Sequence, residues 1–164
     1  MQFDFERQPG VIKDKVTGER CVIVTQTRMQ DILSRLSVIF QSGAKVIIFE
    51  ASKAAGTHFA KEASEAANAD IQQLLNKTVQ RFTDAGLGKI EVTESNLEEG
   101  KLKFRIWNNF FAEIKNEEGA TYCSCIEGFV TGMYEQVLGE TPKIKKIKCV
   151  SDGEAYCEWH VTLK

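Results

Sequence analysis

Four of the five cysteines lie in the C-terminal part of the chain, at positions 123, 125, 149 and 157. The first two open a stretch whose apolar residues recur at helical spacing as far as Leu138, where Gly139 can end the helix. The last two lie symmetrically about Gly153, in a pattern typical of a β-hairpin. This part of the chain therefore predicts a helix packed on a hairpin, with cysteines near their junction.

Three of these cysteines form a candidate metal site. Cys149 and Cys157 would lie nearly opposite each other in the hairpin, where Cβ atoms are about 5 Å apart, within joint reach of one ion. The first turn of the helix could add Cys123, and three thiolates make a good soft-ligand set for zinc. Cys125 could be a fourth ligand only if Cys123 precedes the helix, because positions two apart diverge by about 200°. Water is the other candidate.

A simpler interpretation stays open, in which the cysteines are small buried hydrophobic residues without a metal. Spacings of one and eight residues are not a standard zinc-finger signature, and spacing alone favours this interpretation. A disulfide between Cys149 and Cys157 is conceivable but disfavoured in a reducing compartment. His160 is a poor ligand, because it and Cys157 point to opposite faces of a regular strand.

The order of elements predicts an α+β fold, with an antiparallel sheet and helices packed on one side, in a single domain. Residues 1–26 are expected to form an N-terminal strand segment of the same domain, with a strand over Arg20–Thr25 that includes the β-branched run at 22–24. Residues 27–164 are expected to form the main body. A capping box, Thr27 with Gln30, predicts the start of the first helix. The remaining elements are helices over 44–67, 69–85 and 121–138 and strands over 88–94, 101–107, 143–149 and 155–163.

Composition excludes several classes of function. The net charge is −2, with 21 basic and 23 acidic residues, which argues against nucleic-acid binding. No apolar segment follows Met1, so we expect no secretory signal. No apolar run approaches the roughly 20 residues of a membrane span. The odd number of cysteines suits a reducing compartment, and we expect a cytoplasmic protein.

The C-terminal motifs resemble a known family. The pattern Cys123-x4-Gly128-Phe129-x2-Gly132, followed by Cys149-x3-Gly153-x3-Cys157-x-Trp159-x-Val161, is similar to the C-terminal signature of the vinyl-4-reductase domain family. This resemblance implies a small-molecule or hydrocarbon-binding module related to aromatic-sensor domains and to trafficking-particle subunits. In sensor members, zinc is held by three cysteines and by a glutamate three residues before the second cysteine. That glutamate position is Lys146 here, and an ammonium group is no ligand.

Three functions follow as hypotheses. The first is a non-enzymatic sensor or regulatory module that binds a small hydrophobic or aromatic ligand in an apolar pocket between helices and sheet. Its motivation, beside the resemblance, is abundant apolar surface from Phe49, Phe59, Phe104, Phe110, Phe129 and Trp159. The second is an accessory factor or reductase in tetrapyrrole metabolism, although no dinucleotide fingerprint or catalytic set is visible, so direct catalysis is not expected. The third is an assembly protein that forms a homodimer through the helix face from Met29 to Phe40.

Overall fold

A four-stranded antiparallel sheet in the order β4-β5-β7-β6 is the centre of the molecule. The computed structural model describes residues 5–15, 18–65, 71–115 and 121–163. The elements are β1 (Phe5–Gln8), β2 (Val11–Asp14), β3 (Arg20–Cys21), α1 (Gln26–Phe40), α2 (Ala44–Glu65), α3 (Ile71–Asp84), β4 (Lys89–Asn96), β5 (Lys101–Trp107), α4 (Phe110–Glu113), α5 (Ser124–Leu138), β6 (Lys143–Lys148) and β7 (Cys157–Thr162). The expected α+β class is confirmed. The turn expected at 116–119 lies outside the described residues.

Strand alternation places one face of the sheet in the core. In β5, the buried residues alternate with partly exposed ones, and Ile106 has no exposed surface. In β7, Cys157, Trp159 and Val161 point inward and are at most 1% exposed. Helices α3 and α5 contribute Leu75, Phe82, Ile126 and Tyr134 to the same cluster. Burial of this apolar face holds the helices on the sheet.

Helix α5 is held close to α2 by glycines on both helices. A Cβ atom added at Gly56 or Gly132 would lie 2.0 Å from a carbonyl oxygen of the opposite helix, and one at Gly128 would lie 2.3 Å from such an oxygen. Thr57 donates a hydrogen bond of 3.3 Å from Oγ1 to the Gly132 carbonyl across this crossing. The glycines therefore set the position of α5, and with it the positions of the residues that α5 presents to the sheet.

The N-terminal strands form a separate three-stranded sheet in the order β1-β2-β3. An ion pair of 3.0 Å between Arg81 and the buried carboxylate of Asp14 ties this sheet to α3. The strand predicted over Arg20–Thr25 is present only at its start: β3 spans Arg20–Cys21, and Val22 beyond it is 77% exposed. Residues 22–25 pair with no described strand, so β propensity alone did not extend β3.

The first helix begins earlier than the capping pattern predicted. Thr25, and not Thr27, is the N-cap residue, and its side chain accepts a hydrogen bond from the backbone N–H of Arg28. A short 3₁₀ segment, Gln41–Gly43, then joins α1 to α2. The helical stretch Gln26–Lys61 contains a window of mean hydropathy 1.5, apolar and long enough to cross a membrane, with 17% of it buried. The expectation of no spanning segment counted uninterrupted apolar runs, whereas this window includes isolated polar residues.

The final hairpin differs in detail from its prediction. Lys148 pairs with Glu158, and the register shifts between Lys146 and Lys148. A 3₁₀ turn over Val150–Asp152, which ends at Gly153 with φ of 90°, replaces the tight two-residue turn. The longer connection places Cys149 just after β6 and Cys157 at the start of β7.

Candidate functional site

Three buried cysteine sulfurs meet where α5 and the final hairpin join. Cys123 is the residue that precedes α5, and Cys149 and Cys157 flank the 3₁₀ turn. The Sγ atoms of Cys149 and Cys157 are 3.5 Å apart, those of Cys123 and Cys149 are 3.7 Å apart, and all three lie within 4.8 Å of one another. This spacing allows one ion to contact all three sulfurs.

Each sulfur also accepts a hydrogen bond from a donor outside the cluster. The Thr121 hydroxyl donates to Cys123 at 3.4 Å, and the Ser151 hydroxyl donates to Cys149 at 3.1 Å. The backbone N–H of Val150 donates to Cys157 at 3.5 Å. Donors of this kind stabilise thiolates and orient metal ligands. The donor set therefore suits a soft divalent ion such as zinc.

The thiols of Cys123 and Cys157 do not ionise independently. Hydrogen bonding from the Cys123 thiol lowers the pKa of Cys157, and the Val150 N–H adds to this effect against the opposing influence of burial. The same interaction with Cys157, together with burial, raises the pKa of Cys123. Cys157 thus takes the negative charge more readily, while Cys123 holds its proton. This is the behaviour of ionisable groups that interact closely.

Lys146 occupies the position at which the family resemblance places a glutamate ligand. Partial burial disfavours its ammonium group, but the charges of Cys123, Cys149 and Glu127 outweigh burial and raise the pKa of Lys146. The ammonium group cannot bind a cation, yet its charge offsets the negative charge that thiolates accumulate. Lys146 thus acts on the cluster as a neighbouring charge.

The remaining sequence candidates lie elsewhere. Cys125 packs against Leu33 and Ile48 in a second apolar cluster, where burial raises the pKa of its thiol. His160 is on the opposite face of β7 from Cys157, and its Nε2 lies 3.1 Å from a carboxylate oxygen of Glu158. Although Cys123 precedes α5, its backbone is already helical, with φ of −58° and ψ of −20°, so Cys125 still points away from it. Strand alternation separates His160 from Cys157.

An apolar cavity of about 40 Å³ lies between α3, α5 and the sheet. Its lining consists of Leu75, Thr78, Val79, Phe82, Ile90, Val92, Leu102, Phe104, Ile106, Ile126, Phe129, Val130, Met133 and Tyr134. Two of the six aromatic residues named from the sequence, Phe104 and Phe129, line it. Sequence reasoning missed Phe82 and Tyr134 as wall residues, although both belong to apolar stripes that helical spacing predicted.

Packed side chains connect this cavity with the cysteine cluster. Trp159 lies two residues after Cys157, and its ring stacks on Phe104 in the cavity wall, with centroids 5.5 Å apart. The indole N–H of Trp159 also donates to a carboxylate oxygen of Glu127 on α5, at 3.5 Å. Helix α5 therefore lines the cavity and begins beside the cluster, while β7 carries Cys157 and packs against the cavity wall through Trp159. A change of packing at one feature can alter the other.

Known proteins with the same fold extend these observations. No family model and no curated sequence matches the chain. Among solved structures, the phenol-responsive sensory domain of the transcription activator PoxR, determined with phenol, is similar with a TM-score of 0.79 and 15% identity, over 97% of this chain and 84% of that one. A vinyl-4-reductase family protein from Methanocaldococcus jannaschii is similar with a TM-score of 0.60 and 18% identity, over 92% and 87%.

A third similar structure is a trafficking protein particle complex subunit 3 from Naegleria fowleri, covalently bound to palmitic acid. Its TM-score is 0.60 at 13% identity, over 85% of this chain and 92% of that one. Identities this low concern the fold. The chain therefore has the α+β fold of the vinyl-4-reductase family, in agreement with the resemblance of its C-terminal motifs.

Proposed function

We propose that this protein is a non-enzymatic sensor or regulatory module that binds a small hydrophobic or aromatic ligand in the cavity between α3, α5 and the sheet. The observation that carries the proposal is the cavity itself, whose surface is formed by side chains from four elements and is apolar. Apolar pockets with few polar groups are the usual sites of small ligands. The similarity to a phenol-responsive sensory domain supports the same function.

Ligand entry requires rearrangement of the cavity wall. The cavity measures about 40 Å³, whereas an engineered cavity that binds benzene measures about 150 Å³. Met133 and Phe129 are suited to move, because methionine has a flexible side chain and Phe129 is only partly buried. A shift of these α5 residues on binding would also act on the cysteine cluster at the start of the same helix.

The test is to measure the binding of phenol, toluene and longer apolar molecules to the purified chain by calorimetry or native mass spectrometry. Ile90→Phe adds bulk to the cavity wall and is expected to weaken binding at least tenfold, since overfilled sites exclude ligand. Ile147→Phe is the matched control, because Ile147 is 40% exposed on β6. Equal binding by the two variants, or no binding of any compound by the native chain, would contradict the proposal.

We also propose that Cys123, Cys149 and Cys157 hold a zinc ion with a structural role. Three sulfurs within joint reach, each with its own hydrogen-bond donor, support this assignment. Bound zinc would tie the start of α5 to the final hairpin, and its fourth position would be left to water. Cys125 is assigned no role, because its thiol belongs to a different apolar cluster.

Metal analysis of protein purified without an affinity tag tests the zinc assignment. We expect about one zinc per chain, lost in Cys149→Ser and retained in Cys125→Ser, the matched control. Removal of zinc by a chelator should lower the midpoint of thermal unfolding in the native chain and in Cys125→Ser, and should leave that of Cys149→Ser unchanged. Zinc-free native protein, or loss of zinc in Cys125→Ser, would contradict the assignment.

A second copy of the chain is the proposed partner of the exposed apolar face of the first two helices. Nine large hydrophobic residues between positions 22 and 47 are substantially exposed: Val22, Ile23, Val24, Ile32, Val38, Ile39, Phe40, Val46 and Ile47. Contiguous exposed apolar surface marks an interaction site. Sedimentation should give a dimer that Ile39→Glu dissociates and Ile147→Glu does not. A monomeric native chain that binds lipid vesicles would instead identify a membrane as the partner.

A further inference from the structure

The Tyr134 hydroxyl is a buried polar group that has no hydrogen-bond partner among the described residues. Tyr134 is 6% exposed, and within the described part of the chain no group lies at hydrogen-bond distance from its Oη. The other hydroxyl in the cavity wall, that of Thr78, donates to the Leu74 carbonyl at 2.8 Å. A buried hydroxyl without a partner opposes folding, so a residue of this kind calls for an explanation.

Tyr134 belongs to the walls of two neighbouring cavities. A second cavity of about 20 Å³ lies beside the first, and Leu75, Met133 and Tyr134 line both. These three side chains divide the space between α3, α5 and the sheet. A ligand in the first cavity that displaces them would therefore extend alongside the Tyr134 ring and could reach its hydroxyl, which the wall of the first cavity does not expose.

The surrounding chemistry restricts the ligand further. Among the described residues, no charged side chain lines either cavity, so a carboxylate or an ammonium group would be buried there without a counter-charge from them, at high cost. Burial also raises the pKa of Tyr134, which keeps the phenol protonated and able to donate. A neutral oxygen is the group that satisfies this donor without introducing charge.

We propose that Tyr134 is the specificity-determining residue of the ligand site, and that the ligand is an uncharged apolar molecule with one oxygen that hydrogen-bonds to the Tyr134 hydroxyl. Alcohols, phenols, ketones and esters belong to this class, whereas hydrocarbons and free carboxylates do not. This inference rests on the proposed ligand-binding function and adds the chemical class of the ligand. Sites built to bind a substrate oxygen discriminate through the group that is otherwise left unpaired.

The experiment compares matched pairs of compounds that differ by an oxygen. Phenol and toluene form one pair, and 1-hexanol and heptane form the other. Dissociation constants are measured by calorimetry for the native chain, Tyr134→Phe and Tyr122→Phe. The last variant is the control, because Tyr122 is also buried but its hydroxyl lies within reach of Ser34 and Ser37 and it does not line the cavity.

In Tyr134→Phe, the ratio of the dissociation constant for toluene to that for phenol should fall about tenfold, which is the usual effect of one hydrogen bond. Tyr122→Phe should leave that ratio unchanged. Thermal unfolding supplies an independent readout: Tyr134→Phe should be at least as stable as the native chain, whereas Tyr122→Phe should be less stable. The ratio of the dissociation constant for heptane to that for 1-hexanol should fall in Tyr134→Phe in the same way.

The outcomes distinguish failure of the role of Tyr134 from failure of ligand binding itself. If oxygenated and oxygen-free probes bind and their ratios are the same in Tyr134→Phe and the native chain, the role of Tyr134 is refuted while ligand binding stands. A destabilised Tyr134→Phe would show that the hydroxyl has a partner in the free protein, and would refute the same role. If none of the four probes binds the native chain, this inference and the proposed ligand site are both refuted.

Discussion

The close crossing of α2 and α5 allows a sharp test, the substitution Gly132→Ala. The new Cβ atom would lie 2.0 Å from the Lys53 carbonyl oxygen and 2.8 Å from the Thr57 backbone nitrogen, while ordinary contact begins at 3.4 Å. Both neighbours are backbone atoms, which cannot rotate away. The helices must therefore separate by about 1.4 Å, the difference between the first distance and ordinary contact.

The size of the effect follows from this separation. A gap of about 1 Å loses roughly a quarter to a half of each dispersion contact along the crossing. Overpacking of a core typically costs about 1–3 kcal/mol, and a clash with backbone lies at the upper end or beyond. Alanine recovers about 1 kcal/mol through its better helix propensity. The expected net loss in the free energy of unfolding is therefore about 2–4 kcal/mol.

Urea unfolding followed by circular dichroism measures this loss. With a slope of about 2 kcal/mol per molar urea, the midpoint should fall by about 1–2 M. Gly43→Ala is the matched control, because an added Cβ at Gly43 has no atom within 4 Å. That variant should stay within about 0.5 kcal/mol of the native chain. A Gly132→Ala midpoint no lower than that of Gly43→Ala would refute the close crossing.

Three further changes test other parts of the fold. Ile106→Ala in β5 should cost about 3 kcal/mol, because Ile106 is fully buried and its loss leaves a cavity; a cost below about 1 kcal/mol in denaturant unfolding would contradict its core position. Asp14→Asn removes the carboxylate that pairs with Arg81 and should speed limited proteolysis within the first 15 residues; unchanged cleavage rates would show that the pair does not hold this sheet. The hydrogen bond from Arg105 lowers the pKa of Glu158. The pair therefore stabilises the fold fully above the unfolded pKa of about 4.3, and this contribution is lost as pH falls through the lower pKa of the folded state. Glu158→Gln should therefore be less stable than the native chain at pH 7 and approach it in acid, and a difference independent of pH would contradict the linkage.

The class of the fold follows from local pattern. The periodicity of apolar residues predicted all of the main helices and the strands of the main sheet, and strand 101–107 has its predicted bounds. Helix starts were less accurate, because a cap depends on which side chain reaches a free N–H. Thr25 does so in α1, although Thr27 has the better local motif.

The candidate metal site was predictable because its residues lie near element ends. Hairpin symmetry brought Cys149 and Cys157 together, and α5 had to begin beside them to bury its apolar stripe. The donors Thr121, Ser151 and Val150 were not predictable, since Thr121 lies in the irregular segment before α5 and the other two lie in the 3₁₀ turn. The register shift in β6 likewise leaves no sign in the local sequence.

By itself, then, the sequence determined the α+β class, the order of elements, and the three cysteines that converge, because these depend on periodicity and on chain order. Only the tertiary structure decided which apolar residues line the cavity, that the Tyr134 hydroxyl is buried without a partner among the described residues, and that the apolar face of α1 lies exposed. Cavities and unpaired groups depend on the distances between elements, where a few tenths of an ångström matter. At the α2–α5 crossing, the glycine contacts set these distances. No pattern along one element contains those distances.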